Sequence, residues 1–315
     1  MAVAAWGHHG VATLGVAGLE GPGAPVETSS SQTLPEGRWL YYMKIDHASM
    51  EKGRLDSTEV EGDQNTFSMY GVGYGATPWL SGYLFLPYHA KMQERGGGTA
   101  GFADLSVMGV VGFKYDGGLK LVPANESLDD LEDWHFTLYL GTSIPTGDAT
   151  LRDGNNQPID PGMQLSFGKP SYSTGLTATK QLSQTVTAVT ELSWITFTPY
   201  EFEGGEEVKF GDESRLNEAL VIRMDTDART KRRIDGNLEL QYLSLGRDET
   251  DGVGDLATGG AMVYALIGSR VYLESSSFAL GIKRPIWRDL NEQADQQGAE
   301  GTEDYRVVFS FSTLF

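Results

Sequence analysis

Two adjacent histidines near the N-terminus, His8 and His9, are the residues of this sequence best placed to bind a metal ion. If a signal peptide is removed after Ala5, the mature chain begins Trp6-Gly7-His8. The free amine, two amide nitrogens and the imidazole of the third residue then form a square-planar nitrogen set suited to Cu(II) or Ni(II). His8 and His9 are therefore candidate metal ligands, and the alternative is a histidine pair without a ligand in a flexible arm.

A further histidine, His47, lies two residues before Ser49 and raises the question of a membrane-embedded hydrolase. A serine nucleophile needs a histidine base and a third polar group that orients the imidazole. Nothing else in the sequence supports that arrangement, and neither a G-x-S-x-G nor a G-x-x-x-x-G-K-[ST] motif is present. With no cysteine either, the sequence predicts a protein that is not an enzyme.

Charge and composition exclude two broad classes of protein. The net charge is −19, whereas a nucleic-acid binder would show a basic face, so we expect no nucleic-acid partner. No stretch reaches the ~18 to 20 apolar residues that a membrane-spanning helix requires. Forty glycines and 10% aromatic residues are instead typical of many strands and turns. The absence of cysteine suits a chain that crosses an oxidising compartment.

The composition and residue pattern of the sequence change after residue 36. We interpret residues 1–36 as a signal-peptide remnant followed by an extended arm rich in Gly, Pro, Ser and Thr, which either plugs a lumen or stays in the periplasm. In residues 37–315, alternating runs predict an all-β fold, a closed antiparallel transmembrane β-barrel of about twelve strands. The runs cover 37–49, 65–76, 79–92, 101–115, 133–144, 169–179, 183–198, 214–225, 231–246, 257–271, 275–287 and 303–315.

The last run has an aromatic face that a soluble protein would not expose. Tyr305, Phe309, Phe311 and Phe315 share one face, and mostly polar residues occupy the other. An outer-membrane barrel turns such a face to lipid, and its C-terminal strand, here ending at Phe315, would be recognised by the barrel-assembly machinery.

Connection lengths support the same topology. Long connections follow the odd-numbered runs and short turns follow most even-numbered ones, as expected when loops lie outside the cell and turns lie in the periplasm. The stretch 116–132 is the exception, because it is long and falls on the turn side.

Alternation assigns one face of each run to the lumen. Mixed charges and a few aromatic residues fall on that face, where they either brace a closed lumen or line a water-filled path. The candidate lumen and transport residues are Lys44, Asp46, Tyr83, Phe85, Asp104, Lys114, His135, Tyr139, Glu191, Arg223, Asp235, Glu239, Lys283 and Arg306.

Acidic residues concentrate in three of the long loops, in 199–213, 247–256 and 288–302. They either keep the loops solvated or form a negative vestibule that attracts cations, including divalent cations that bridge lipopolysaccharide.

Several short segments resemble a known family. Gly101-Phe-Ala-Asp-Leu-Ser-Val-Met-Gly109, Thr77-Pro-Trp-Leu with Leu86-Pro-Tyr88, and Gly141-Thr-Ser-Ile-Pro-Thr-Gly-Asp148 are similar to segments of outer-membrane proteins of the MetA pathway of phenol degradation, also called transporter proteins. The resemblance implies a β-barrel that passes hydrophobic or aromatic compounds across the outer membrane of Gram-negative bacteria.

Two functions are therefore compatible with the sequence. The first is a porin-like outer-membrane channel or facilitator for passive passage of small molecules, including hydrophobic or aromatic ones, with the lipid bilayer and lipopolysaccharide as surroundings. The second is a non-conducting barrel scaffold that presents acidic loops or a metal-binding arm to partners, such as a periplasmic protein. No resident cofactor is expected beyond the Cu(II), Ni(II) or divalent cations considered above.

Overall fold

The computed structural model describes residues 23–50, 54–55, 58–59, 64–93, 97–124, 126–128, 131–291 and 303–315. These residues form a closed barrel of twelve antiparallel strands, in which each strand pairs with its neighbours along the chain and β12 pairs with β1. The strands are β1 Trp39–Met50, β2 Gln64–Thr77, β3 Leu80–Gln93, β4 Gly97–Phe102 with Leu105–Tyr115, β5 Trp134–Ile144, β6 Ser171–Gln181, β7 Val186–Phe197, β8 Glu213–Asp227, β9 Arg232–Leu245, β10 Gly260–Leu273, β11 Ser276–Leu290 and β12 Glu303–Leu314.

Alternating burial along the strands explains why these residues form a barrel. In β9, Leu238 and Leu240 point outward and are about half exposed, whereas Asn237 and Glu239 point inward and are buried. Polar side chains thus enclose an interior while apolar side chains cover the outside, the inverse of a soluble sheet protein. The predicted closed twelve-stranded barrel is confirmed, with strand boundaries within a few residues of the predicted runs.

Strand β4 differs from the prediction because it is interrupted at Ala103 and Asp104. Phe85 pairs with Ser106 and Tyr88 pairs with Phe102, so β4 carries one more residue than β3 between these two pairs. Such a β-bulge bends a strand and redirects side chains.

Pro87, which lacks an N–H group, lies opposite the bulge, where its carbonyl oxygen accepts a hydrogen bond from the Ala103 amide at 2.9 Å. The bulge frees the Asp104 carboxylate to accept hydrogen bonds from the amides of Gly147 and Phe167, at 3.0 and 3.1 Å. It therefore anchors the long loop between β5 and β6, which contains the 3₁₀ helix Pro161–Met163.

The two ends of the barrel differ. At the turn end lie the short connections β2–β3, β6–β7, β8–β9 and β10–β11, together with the seam where Trp39 and Phe315 exchange two backbone hydrogen bonds of 2.9 Å. The long connection 116–133 also lies at this end and begins with the short strand Leu119–Leu121, which pairs with β4.

At the loop end, two long connections form a small four-stranded sheet, Tyr200–Glu201, Glu207–Lys209, Glu249–Thr250 and Val253–Gly254. Arg54–Leu55 pairs with Thr58–Glu59 in the β1–β2 loop. None of the described residues forms a helix long and apolar enough to cross a membrane.

Candidate functional site

The residues predicted to face the lumen all lie at inward positions of the strands. All except Lys114 and Arg223, which are partly exposed, are buried. The inward set comprises Lys44, Asp46, Tyr83, Phe85, Asp104, Lys114, His135, Tyr139, Glu191, Arg223, Asp235, Glu239, Lys283 and Arg306. A period of two residues determines which face a side chain of a regular strand occupies, so alternation was sufficient to place all of them except Asp104, which lies in the bulge of β4.

Several inward charges are paired within the barrel wall. Arg306 donates to both carboxylate oxygens of Glu303 and, at 3.0 Å, to Asp46. Arg233 donates to Asp235 at 2.7 Å. The Arg306–Asp46 pair joins the neighbouring strands β12 and β1, whereas the other two pairs each lie within one strand.

Residues 23–36, which we call the inner arm, fill the middle of the lumen. Residues 23–34 are buried, apart from a partly exposed Gln32. The Leu34 amide donates to the Ser81 hydroxyl of β3 at 2.8 Å, and the Ser31 amide donates to Thr179 of β6 at 3.1 Å. At the other end of the inner arm, the carbonyl of Pro25 accepts a hydrogen bond of 2.7 Å from Arg270 of β10. The inner arm therefore crosses the barrel from one wall to the other.

Glu239 of β9 holds the inner arm through its backbone. Its carboxylate accepts hydrogen bonds from the amides of Val26, Glu27 and Thr28, at 2.7, 3.1 and 2.8 Å, and from the Thr28 hydroxyl at 2.7 Å. Hydrogen bonds to an ionised acceptor are stronger than neutral ones, so this carboxylate is a principal anchor.

Glu27 anchors the inner arm through its side chain. One carboxylate oxygen lies 2.8 Å from the ammonium group of Lys44 on β1, and the other lies 2.6 Å from that of Lys283 on β11. Both lysine side chains are at most 1% exposed. A carboxylate from the arm thus rests between two cations of the wall.

An apolar cluster occupies one side of the lumen beside the inner arm. Tyr83 and Phe85 of β3 are stacked, with ring centroids 5.9 Å apart and an interplanar angle of 3°. Leu34 of the inner arm belongs to the same cluster. The other members are Leu40, Tyr42, Phe67, Met69, Met108, Val110 and Tyr139.

A cavity lies above the apolar cluster at the loop end. It contains about 850 Å³ of empty space, which includes space open to solvent. Met69 and Met108 of the cluster form part of its lining. His89 of β3 also borders it, and the His89 Nε2 atom has no hydrogen-bond partner among the described residues. This loop-end cavity therefore combines a mostly apolar lining with a histidine that has an unpaired buried nitrogen.

Residues of the β5–β6 loop close one side of the loop-end cavity. The ammonium group of Lys91 donates to the carbonyl oxygen of Gly162 at 2.5 Å and thereby ties the loop to β3. Burial raises the pKa of the nearby Asp160 carboxyl to about 6, although a hydrogen bond from Gly162 and the charge of Lys91 act in the opposite direction.

A second cavity, of about 700 Å³, lies at the turn end between the inner arm and the connection 116–133. Leu34 borders this turn-end cavity as well as belonging to the apolar cluster. Glu126 fixes the connection by contacting Lys114 at 2.8 Å and His135 at 3.0 Å. The two cavities are thus separated by the apolar cluster and the inner arm.

Sequence reasoning did not identify Glu27, His89 or Lys91 as lumen residues. For His89 and Lys91 a signal was present, because the alternation that places Tyr83 and Phe85 inward continues through them. Glu27 gave no such signal, since the arm has no periodicity.

The residues considered for a hydrolase do not face the lumen, and the proposed metal ligands are not among the residues that the structure describes. His8 and His9 lie outside the described residues. Within the described ranges, no group of three or more His, Cys, Asp or Glu side chains is arranged to hold a metal ion. His47 Nδ1 lies 2.9 Å from the Thr66 hydroxyl oxygen, and both His47 and Ser49 occupy outward positions of β1.

Comparison with solved structures places this barrel among outer-membrane channel folds. The structure is similar to that of the COG4313 outer membrane channel from Pseudomonas putida F1, with a TM-score of 0.67 and 12% sequence identity over 91% of this chain and 98% of that chain. The NanC porin matches with a TM-score of 0.48 and 6% identity, over 87% of this chain and 98% of that chain.

A variant of the TodX monoaromatic hydrocarbon channel matches with a TM-score of 0.43 and 10% identity, over the whole of both chains. No protein-family model and no curated protein matches the sequence. At such low identities the similarity establishes the fold, which is the one that the sequence resemblance to outer-membrane transporter proteins implied.

Proposed function

We propose that this protein is a channel of the Gram-negative outer membrane that passes small molecules through its lumen, and that the inner arm keeps the channel closed. The observation that carries the proposal is the arrangement of the lumen. A cavity opens at each end, and among the described residues the apolar cluster and the inner arm lie between the two.

The path between the cavities favours solutes with an apolar part. It runs past the stacked rings of Tyr83 and Phe85, and Leu34 of the inner arm is its last apolar barrier before the turn-end cavity. Aromatic side chains offer a large apolar contact area. Transfer of a hydrophobic or aromatic solute from water to this part of the lumen is therefore favourable. The charged residues Glu239, Arg270 and Lys283, which hold the arm, lie on β9, β10 and β11, opposite the strands that carry most of the apolar cluster.

Removal of the inner arm tests the proposal. A variant that lacks residues 1–36 should show a higher single-channel conductance in planar bilayers than the full chain. The matched control lacks only residues 1–22 and keeps the inner arm, so its conductance should stay near that of the full chain. Unchanged conductance after removal of residues 1–36 would contradict the proposal and favour a non-conducting scaffold.

A further inference from the structure

The point where Lys44 and Lys283 meet has the geometry of a carboxylate-binding site. The two ammonium groups approach from β1 and β11, and each contacts a different oxygen of the Glu27 carboxylate. A forked anion satisfies both lysines at once, whereas a spherical halide ion presents a single centre.

Of the two lysines, Lys44 relies on the inner arm for its hydrogen bond, whereas Lys283 has other partners in the wall. Arg306 is already paired with Asp46 and Glu303. Lys283 also donates to the Gln241 side-chain oxygen at 3.2 Å and lies 4.9 Å from the centre of the Tyr264 ring. Among the described residues, the Lys44 ammonium group has Glu27 as its only hydrogen-bond partner.

Departure of the inner arm would remove the carboxylate that Lys44 and Lys283 share. Two ammonium groups would then face the same vacated position, and their combined charge would attract a replacement anion. Two internal carboxylates compete for this position. Glu239 would lose the three arm amides at the same time and already contacts Gln241 at 3.3 Å, and Asp46 lies on the same face of β1 as Lys44, two residues away.

We propose that Lys44 and Lys283 form a binding site for the carboxylate group of a solute, which Glu27 occupies while the channel is closed. The inference rests on the proposed role of the inner arm as the closing element. A carboxylate that enters the lumen competes with Glu27 for the lysine pair and so promotes release of the arm. A solute that combines a carboxylate with an apolar body fits both this site and the apolar cluster beside it.

Thiol labelling of the full-length chain tests the proposal. Because the sequence has no cysteine, an Ala24→Cys substitution provides a single thiol on the inner arm, at a position that is 1% exposed. The rate of labelling by a charged, water-soluble thiol reagent then reports release of the arm. Acetate should raise this rate to a plateau, whereas neutral acetamide should not, and chloride at the same ionic strength should have a smaller effect.

Three further variants in the Ala24→Cys background identify the site. Combined Lys44→Met and Lys283→Met substitutions should abolish the response to acetate, whereas Lys231→Met, which changes a 62% exposed lysine of the β8–β9 turn, should preserve it. Glu27→Gln should increase the labelling rate without acetate by about tenfold or more, because it removes one partner of a buried charge pair.

Three results would overturn the proposal. An equal response to acetate and chloride that survives the double lysine substitution would show that salt screening alone releases the arm. A response to acetate only after Glu239→Gln would show that Glu239 refills the lysine pair. Normal labelling of Glu27→Gln would show that this pair does not hold the arm. In each case the conductance of the variant lacking residues 1–36 decides independently whether the channel proposal stands.

Discussion

Arg306 illustrates how a single side chain stabilises the wall of this barrel. Its side chain is 3% exposed and bridges two carboxylates that are buried even more deeply, those of Asp46 and Glu303. Removing one member of such a network leaves the others as uncompensated charges. Arg306→Met should therefore lower the free energy of unfolding by about 3–5 kcal/mol, measured by urea titration of the protein in lipid vesicles.

A nearby ion pair provides the matched control for this substitution. Arg284 on β11 pairs with Asp304 on β12, but their side chains are 65% and 45% exposed. An exposed pair contributes little, so Arg284→Met should change the unfolding free energy by less than about 1 kcal/mol. Equal losses in the two variants would show that burial does not determine the strength of these pairs.

Asp160 makes the β5–β6 loop sensitive to pH. Burial raises the pKa of its carboxyl to about 6, above the value of about 3.9 expected in an unfolded chain. The folded loop therefore binds the proton more tightly, and its stability is greatest below pH ~4 and falls as the pH rises through about 6. Hydrogen exchange at Gly162 and Met163, corrected for intrinsic rates, should show more frequent opening at pH 7 than at pH 5.

An Asp160→Asn variant separates this effect from other titrations. The amide oxygen can still accept the hydrogen bond from the Gly162 amide, which is 2.8 Å long in the native protein, but the side chain no longer ionises. Loop opening in this variant should be nearly independent of pH between 5 and 7. If the same pH dependence persists, the group responsible lies elsewhere.

The residues also show how far prediction from sequence can reach. Whether Lys44 or Glu239 faces inward follows from alternation alone, because it needs no knowledge of the partner. The position of Glu27 depends on contacts with Lys283 and Glu239, which lie 256 and 212 residues further along the chain. No local pattern in a Gly-, Pro-, Ser- and Thr-rich segment encodes contacts of that range.

At the scale of elements, the closest fit between the barrel wall and the inner arm is at inward-facing glycines. A β-carbon added to Gly112 of β4 would lie 2.8 Å from a methyl group of Thr33 in the inner arm and 3.1 Å from Val122 in the 116–133 connection. A β-carbon added to Gly268 of β10 would likewise lie 2.7 Å from a methyl group of Val26 in the inner arm. The absence of side chains at these positions makes room for the inner arm.

Gly112→Val should therefore displace the inner arm while the barrel remains folded. Valine suits a strand, and the closest atoms belong to the arm and the connection rather than to the wall. We expect a higher single-channel conductance with unchanged heat-modifiable mobility in electrophoresis. Gly109→Val on the same strand is the control, since nothing lies within 4 Å of a β-carbon added there. Equal conductance of the two variants would contradict the assignment of Gly112 to the seat of the arm.

Strand positions were more predictable than strand irregularities. The twelve runs were visible because each alternates over many residues, whereas the bulge at Ala103 and Asp104 involves only one extra residue. Pro87 was an available signal, because a proline inside a strand removes one hydrogen bond of the ladder. Its effect on β4 could be recognised only once the pairing register was known.

At the scale of the whole molecule, each end of the barrel is covered by a different part of the chain. The connection 116–133 and residues 31–36 of the inner arm lie at the turn end, whereas the small four-stranded sheet and the β5–β6 loop lie at the loop end. Opening one end therefore does not by itself open the other. This arrangement suits a channel that admits a solute into one cavity before the path to the second cavity is available.

The barrel closes where the last strand, β12, pairs with β1. The two final residues of the chain, Leu314 and Phe315, have separable roles there. Phe315 is 62% exposed on the outward face, whereas Leu314 packs against the apolar cluster inside. Phe315→Ala should lower the free energy of unfolding less than Leu314→Ala does, because Phe315 lies beyond the last residue of β12 and its ring makes no contact with the apolar cluster. Leu314→Ala should cost about 1–2 kcal/mol, since it removes apolar contacts from a partly buried site.

Assembly should show the opposite order if the barrel-assembly machinery recognises the terminal aromatic residue. The rate at which this machinery, reconstituted in proteoliposomes, folds the protein should fall for Phe315→Ala and remain near normal for Leu314→Ala. The two hydrogen bonds between Trp39 and residue 315 use only backbone atoms and persist in both variants. A slower rate could therefore not arise from a weakened seam, whereas equal rates in the two variants would show that Phe315 is not a recognition signal.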